Sequence, residues 1–302
     1  MLTRPKTLTH APYADARSRP FSIGMRPLSP LGLFEVDAEY ADYLAEKKAL
    51  LETKRDTVFR AEDDTLAAQA LVLDRVLDDL VTRHGELVET DGRAVTVTPL
   101  DTRYAIGDFA AAPLELASLL VQEDLCIMRR GEDGWRLAAA SVCFPSSWPL
   151  AEKFSRSMDA IHAPVPGFAG RMVTVIERIF DNLQMDGPVE RFNWSLYADP
   201  ELHHPEPHAE KFDALDDEAL AAALTVRVER QTLSRLETGD DILFTIRIHR
   251  DPLSAFATHP QRTDLATGLK TQILAMSDDQ LAYKGFSRVR DRILAILDRM
   301  AA

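Results

Sequence analysis

Cysteine is scarce. The 302 residues hold two, Cys126 and Cys143, on separate predicted strands and outside any CxxC pair. That excludes a disulfide framework and a thiolate-built cluster, and both are read as buried free thiols. Long apolar runs are absent too: no segment reaches the roughly 18 apolar residues of a membrane span. Met1 to Lys6 lacks the apolar core of a secretory signal, so a cytoplasmic protein is expected. Positive charge is short, with 35 Lys and Arg against 48 Asp and Glu, a net charge of -13. A broadly basic surface for nucleic acid or anionic lipid is thereby excluded. GxGxxG, P-loop, HExxH and GxSxG sequences are missing, which removes the commonest nucleotide, zincin and serine-hydrolase readings.

What is present is a globular balance, 46% hydrophobic and 27% charged, enough for a substantial core. Residues 1–36 are rich in Pro and Arg without a period, yet Phe21, Ile23, Met25, Leu28, Leu33 and Phe34 are too apolar for a free tail. They predict an arm docked on one body, residues 37–302. Helical spacing predicts a helix from Asp37 to about Phe59 and a second carrying Leu66, Ala70, Leu73, Leu77 and Leu80, ending at His84-Gly85. A short strand follows at Ala94 to Thr98, with a helical turn near Leu114 to Leu120. Gln122 to Arg130 and Trp135 to Phe144 predict a hairpin around the four-residue loop Gly131 to Gly134. Pro149 can open a helix running to His162, stopped by Pro164. Another helix is expected over residues 169–185, a strand over 190–197, a short helix near 216–224, and a hairpin of residues 224–236 and 242–250. A C-terminal helix carries Val289, Ile293, Leu297 and Met300. Paired strands among helices, without regular β-α-β alternation, predict an α+β fold with a mainly antiparallel sheet and flanking and C-terminal helices.

Several residues invite a chemical reading. Leu150, Phe154, Met158 and His162 share one stripe of the predicted helix, so an imidazole can be aimed into an apolar cavity, as a haem requires. The alternative is a histidine that hydrogen-bonds the last carbonyls of its helix. Strand alternation sets Arg227, Glu229 and Gln231 on one face, and Arg230 with Val226, Val228 and Thr232 on the other. A buried Arg230 needs an anion, either a ligand or one of the chain's own carboxylates. Arg247 and His249 face away from Phe244, Ile246 and Ile248, where cross-strand pairing with Arg227 and Glu229 is expected. His203, His204 and His208 lie among prolines at spacings unlike a helix-borne zinc site. They are read as a solvated loop that can wall a pocket.

Pro20 to Leu28, Val121-Gln122-Glu123-Asp124-Leu125, Val142 to Trp148, Ile161 to Pro166, Asn193-Trp194 and Arg227 to Leu233 occur in one order along the chain. Together they resemble the haem-dependent oxidative N-demethylase family. The resemblance implies a PAS-like sheet enclosing a haem b. It also implies O2-dependent removal of a methyl group from a small-molecule secondary amine such as dimethylamine, releasing formaldehyde. Electrons would come from a separate flavin and iron-sulfur reductase subunit, for which this chain carries no motif. By the same resemblance His162 is the axial metal ligand, with Pro164, Val165, Asn193 and Gln231 at the cofactor. Arg230, or Arg227 if the strand register is reversed, would supply a cation near bound oxygen or a propionate. Glu201 and Glu229, with Asn193 and Gln231, are candidates for holding a protonated amine. A haem-based sensor and a small-ligand binding module are the rival functions.

Overall fold

A computed structural model describes residues 8–15, 18–167, 171–207 and 209–302. Its strands are β1 (Arg26–Pro27), β2 (Phe59–Ala61), β3 (Val88–Thr90), β4 (Ala94–Val97), β5 (Thr102–Ala105), β6 (Asp124–Gly131), β7 (Gly134–Ser141), β8 (Val189–Tyr197), β9 (Thr225–Arg235) and β10 (Asp241–Pro252). The helices are α1 (Tyr40–Val58), α2 (Leu66–Arg83), α3 (Pro113–Ser118), α4 (Leu150–Lys153), α5 (Met158–His162), α6 (Arg171–Asn182), α7 (Ala209–Asp213), α8 (Asp217–Ala223), α9 (Leu253–Phe256), α10 (Arg262–Leu274), α11 (Asp278–Tyr283) and α12 (Arg290–Ala301). The fold is α+β. Seven strands form one antiparallel sheet in the order β1-β8-β9-β10-β6-β7-β2, and β3-β4-β5 form a second, small one. Among the described residues no helix is long and apolar enough to cross a membrane.

The period-2 segments become strands because each can bury one face. On β8 and β9, Trp194, Leu196, Val226 and Val228 face a core built with α8 to α12. On the other face Leu233, joined by Ile242, Cys126 and Met128, packs with Met158, Ile176 and Phe180 of α5 and α6. A third core gathers α1, α2 and α3 around Leu125, Ile127 and Leu243. Asp216 caps α8 by accepting from the Glu218 and Ala219 amides at 3.1 and 2.8 Å, an arrangement that stabilises a helix by about 1 kcal/mol.

β1 pairs with β8, and Tyr13 is buried, donating its hydroxyl to Asp251 at 3.0 Å. Gly268 on α10 permits the approach, since a Cβ there would lie 2.6 Å from the Ala14 Cα. The family-like segment Gln122-Glu123-Asp124 is a set of staples. Gln122 donates to Asp37 at 3.0 Å, Glu123 accepts the Glu35 amide at 2.8 Å, and Asp124 accepts the Cys143 and Phe144 amides at 2.8 and 2.9 Å.

Two local expectations are corrected. The hairpin loop holds two residues rather than four, because Gly131 and Gly134 pair across it and Gly134 takes a φ of 100°. The helix expected from Pro149 to His162 is broken: α4 ends at Lys153, Ser155 adopts a φ of 59°, and α5 begins at Met158. Sheet hydrogen bonding displaces the helical ladder here. The Ser155 amide donates to the Leu137 carbonyl at 2.8 Å, and the Leu137 amide to the Arg156 carbonyl at 3.2 Å. Residues 168–170, where the next helix was expected to begin, lie outside the described residues, and that helix is described from Arg171.

Candidate functional site

One turn of helix is enough to aim His162. Ser157 caps α5, and four residues on from Met158 the imidazole Nδ1 donates to the Met158 carbonyl at 2.9 Å. This fixes the tautomer that carries the lone pair on Nε2. Burial, with the nearby cations Lys153 and Arg191 adding to it, pushes the His162 imidazole down to about 4, so it is neutral near pH 7. Met158, Ile161, Val165 and Trp148 give it an apolar setting. Pro164 is exposed, whereas Val165 packs inward and its amide donates to the His162 carbonyl at 2.8 Å.

A polar strip faces this helix. Register pairs Arg191 with Gln231, Asn193 with Glu229 and Ser195 with Arg227, so alternation puts all six on one face. Glu229 Oε2 accepts from Gln231 at 2.7 Å and from Asn193 at 3.3 Å. Arg191 donates to Gln231 at 3.3 Å and to the Ser22 carbonyl at 3.1 Å, while its Nε is buried and has no hydrogen-bond partner among the described residues. Lys153, Arg191 and Lys284 all sense the charge of Glu229. Three cations therefore lie within electrostatic reach of one carboxylate. Sequence reasoning missed Arg191, Lys153 and Lys284. The signal for Arg191 was available, since it alternates with Phe192, Trp194 and Leu196.

Lys284 closes the strip at the edge of β8, donating to the Trp194 carbonyl and to Asn193 at 3.3 Å. Burial pushes its amine down to about 8 from an ordinary 10.5. Between those values the unfolded chain binds the proton and the folded chain does not, so stability rises with pH. Wild type is accordingly expected to gain on Lys284→Met by up to about 1.4 kcal/mol per pH unit across that window. Urea unfolding of both proteins at pH 8, 9 and 10 checks this, and a constant difference would refute it.

Several expectations are corrected by the geometry. Arg230 does not share the face of His162. It is fully buried on the opposite one, 2.8 Å from Glu190 and 3.1 Å from Glu35. Its anion is the protein's own. Arg247 and His249 pair with Arg230 and Val228 across β9 and β10, so they share Arg230's face and not that of Arg227 and Glu229. Arg227 is on the His162 face, but its guanidinium is spent on loops. It donates to Ser146 Oγ at 3.1 Å and to the carbonyls of Phe144, Pro145, Leu202 and Glu201 at 2.7, 3.3, 2.9 and 3.3 Å. It is a positioning residue for residues 142–148 and 201–202. Glu201 contributes that carbonyl, while its exposed carboxylate lies 3.6 Å from Lys211. The histidine loop is less solvated than expected. His203 donates to the Cys143 carbonyl at 2.8 Å, and His204 is buried against the Tyr197 ring, centroids 4.5 Å apart. His208 lies outside the described residues.

The site thus combines a neutral imidazole with a fixed tautomer, an apolar wall and a cation-rich strip across the sheet. Against known families, residues 24–294 match the family model described as haem-dependent oxidative N-demethylase, alpha subunit-like.

Proposed function

The chain belongs to the haem-dependent oxidative N-demethylase alpha subunit-like family, and on that premise we propose that it removes a methyl group from a secondary amine of the dimethylamine class. The products are a primary amine, formaldehyde and water. The reaction consumes one O2, two electrons and two protons, and the electrons come from a separate flavin and iron-sulfur reductase. Residues 37–302 act as one PAS-like haem-binding body, with residues 1–36 as its docked arm.

The residues present fit a haem b. His162 offers a lone pair on Nε2 within an apolar wall, its Nδ1 held by a backbone carbonyl in the manner of an oriented metal ligand. Arg191 Nε, buried without a partner, suits one propionate, and Lys153 adds a second positive group. That orphaned guanidinium nitrogen, in a strip with three cations to one carboxylate, is the observation that carries the reading. When bound, the haem supplies the oxidising chemistry on O2. Met158, Ile161 and Val165 exclude water from the imidazole face. Asn193 and Gln231 orient Glu229, whose carboxylate holds the ammonium form of the substrate. Arg227 fixes the loop of residues 144–146 beside it.

The purified protein, reconstituted with haem, is expected to show a Soret band and to form formaldehyde from secondary amines when O2 and a reductant are supplied. No Soret band would sink the haem reading. Haem uptake without product across secondary amines would leave a sensor instead. Glu229→Gln keeps the shape and removes the charge. It is expected to lower kcat/KM for the amine at least about 30-fold, from the roughly 2 kcal/mol or more that a buried charge partner is worth. The Soret band is expected to stay. Steady-state formaldehyde assays of the variant check this, and unchanged kinetics would remove Glu229 from substrate binding.

A further inference from the structure

On the sheet face opposite His162, three residues far apart in sequence converge: His10 from the arm, Glu35 from the segment before α1, and His249 from β10. Their ligand atoms all lie within 4.8 Å of one another. His10 Nε2 is 2.9 and 3.0 Å from the two Glu35 oxygens, and His249 Nε2 is 3.1 Å from Oε2. The His249 side chain is 6% exposed, and its Nε2 forms no aligned hydrogen bond despite that proximity. A buried nitrogen held 3.1 Å from a buried carboxylate, close enough for a charge contact but out of line for a well-formed hydrogen bond, fits a ligand shared between them.

We propose that His10, Glu35 and His249 form a divalent transition-metal site, with zinc as its occupant. Two imidazoles and one carboxylate are an established donor set for this ion, with water as the fourth ligand. Ligands about 2.1 Å from a tetrahedral ion stand about 3.4 Å apart, so the two histidine–carboxylate spacings need to open by only a few tenths of an ångström, while the two imidazole nitrogens already lie within 4.8 Å of one another. Nearby cations do not forbid the charge. Arg230, 3.1 Å from Glu35, is itself paired with Glu190 at 2.8 Å, and Arg247 is paired with Asp37 at 2.7 Å. Each histidine coordinates through Nε2 with its proton on Nδ1, so the proton that His10 Nε2 shares with Glu35 must leave that nitrogen when the ion binds. The ion ties the arm to β10 across the face that Arg230 braces. The site is independent of the proposed function.

The full chain, incubated with zinc sulfate and dialysed against metal-free buffer, is expected to retain about one zinc per chain by elemental analysis, which reads zinc separately from iron. His10→Ala, on the arm, and Glu35→Gln are expected to lose it, with zinc affinity at least about 100-fold weaker. His162→Ala is expected to retain it. Zinc is also expected to raise the melting temperature of wild type and not of His10→Ala, which keeps the test open should His249 variants fail to fold. Absence of retained zinc in wild type, or equal retention in His10→Ala, would overturn the proposal.

Discussion

His162→Ala is expected to cost the protein its cofactor. Oriented neighbours of a metal ligand are themselves worth about 10- to 100-fold in affinity, so loss of the ligand is expected to weaken haem retention by at least about 100-fold. The remaining ferric spectrum is expected to change, since no other imidazole of the described residues shares α5. The fold is expected to survive, because His162 is only half-buried and bonds the Met158 carbonyl within its own turn. Haem titration followed by absorbance, with far-UV circular dichroism as a control, gives the answer. An unchanged spectrum and affinity would refute the ligand while leaving family membership intact. Imidazole added to the variant is expected to restore part of the wild-type spectrum, which a purely structural role would not produce.

Arg230→Ala is expected to be the most destabilising single change discussed. The guanidinium is 0% exposed and meets two carboxylates that are themselves buried, Glu190 and Glu35, while also donating to the Gly32 carbonyl at 2.6 Å. Removing it leaves Glu190 with Arg26 alone and Glu35 with the two imidazoles in place of a guanidinium, breaking a buried charge network at a cost of about 3–5 kcal/mol. Around it His10, His249 and Arg26 also touch those carboxylates, so the arm is expected to loosen with the core. Denaturant unfolding measures the loss, and limited proteolysis of the arm reports its release. Soret position and kcat in the folded fraction are expected to stay near wild type. A stable Arg230→Ala protein with altered O2 chemistry would return Arg230 to a catalytic role.

The two arginines show where local reading stops. Alternation placed Arg227 and Arg230 on opposite faces, and they are. What each face meets is not local. Arg230 meets residues near positions 35 and 190, and Arg227 meets two loops near 145 and 202, contacts that only sheet order brings together. Likewise Arg247 and His249 were assigned the wrong cross-strand partners because register across β9 and β10 depends on the turn, and a shift of one residue exchanges the faces. The helix through Phe154 failed for a similar reason: its backbone found a better partner in Leu137 than in its own preceding turn.

By itself the sequence determined the α+β class, both hairpins, the C-terminal helix and the ordered blocks that mark the family. These are written in periods of 2 and 3.6 residues, in caps and in turn chemistry, all of which act over a few residues. For His162 it left two readings open, an aimed ligand and a helix-end histidine, and the bond to the Met158 carbonyl is the one the second expects. The tertiary structure alone decided which charges meet. It gave Arg230 to Glu35 and Glu190, spent Arg227 on carbonyls, left Arg191 Nε without a partner, and gathered His10, Glu35 and His249 across 239 positions of chain. The reason is that a buried charge takes its meaning from its neighbours' charge and its distance from water, and both are set by sheet order and register.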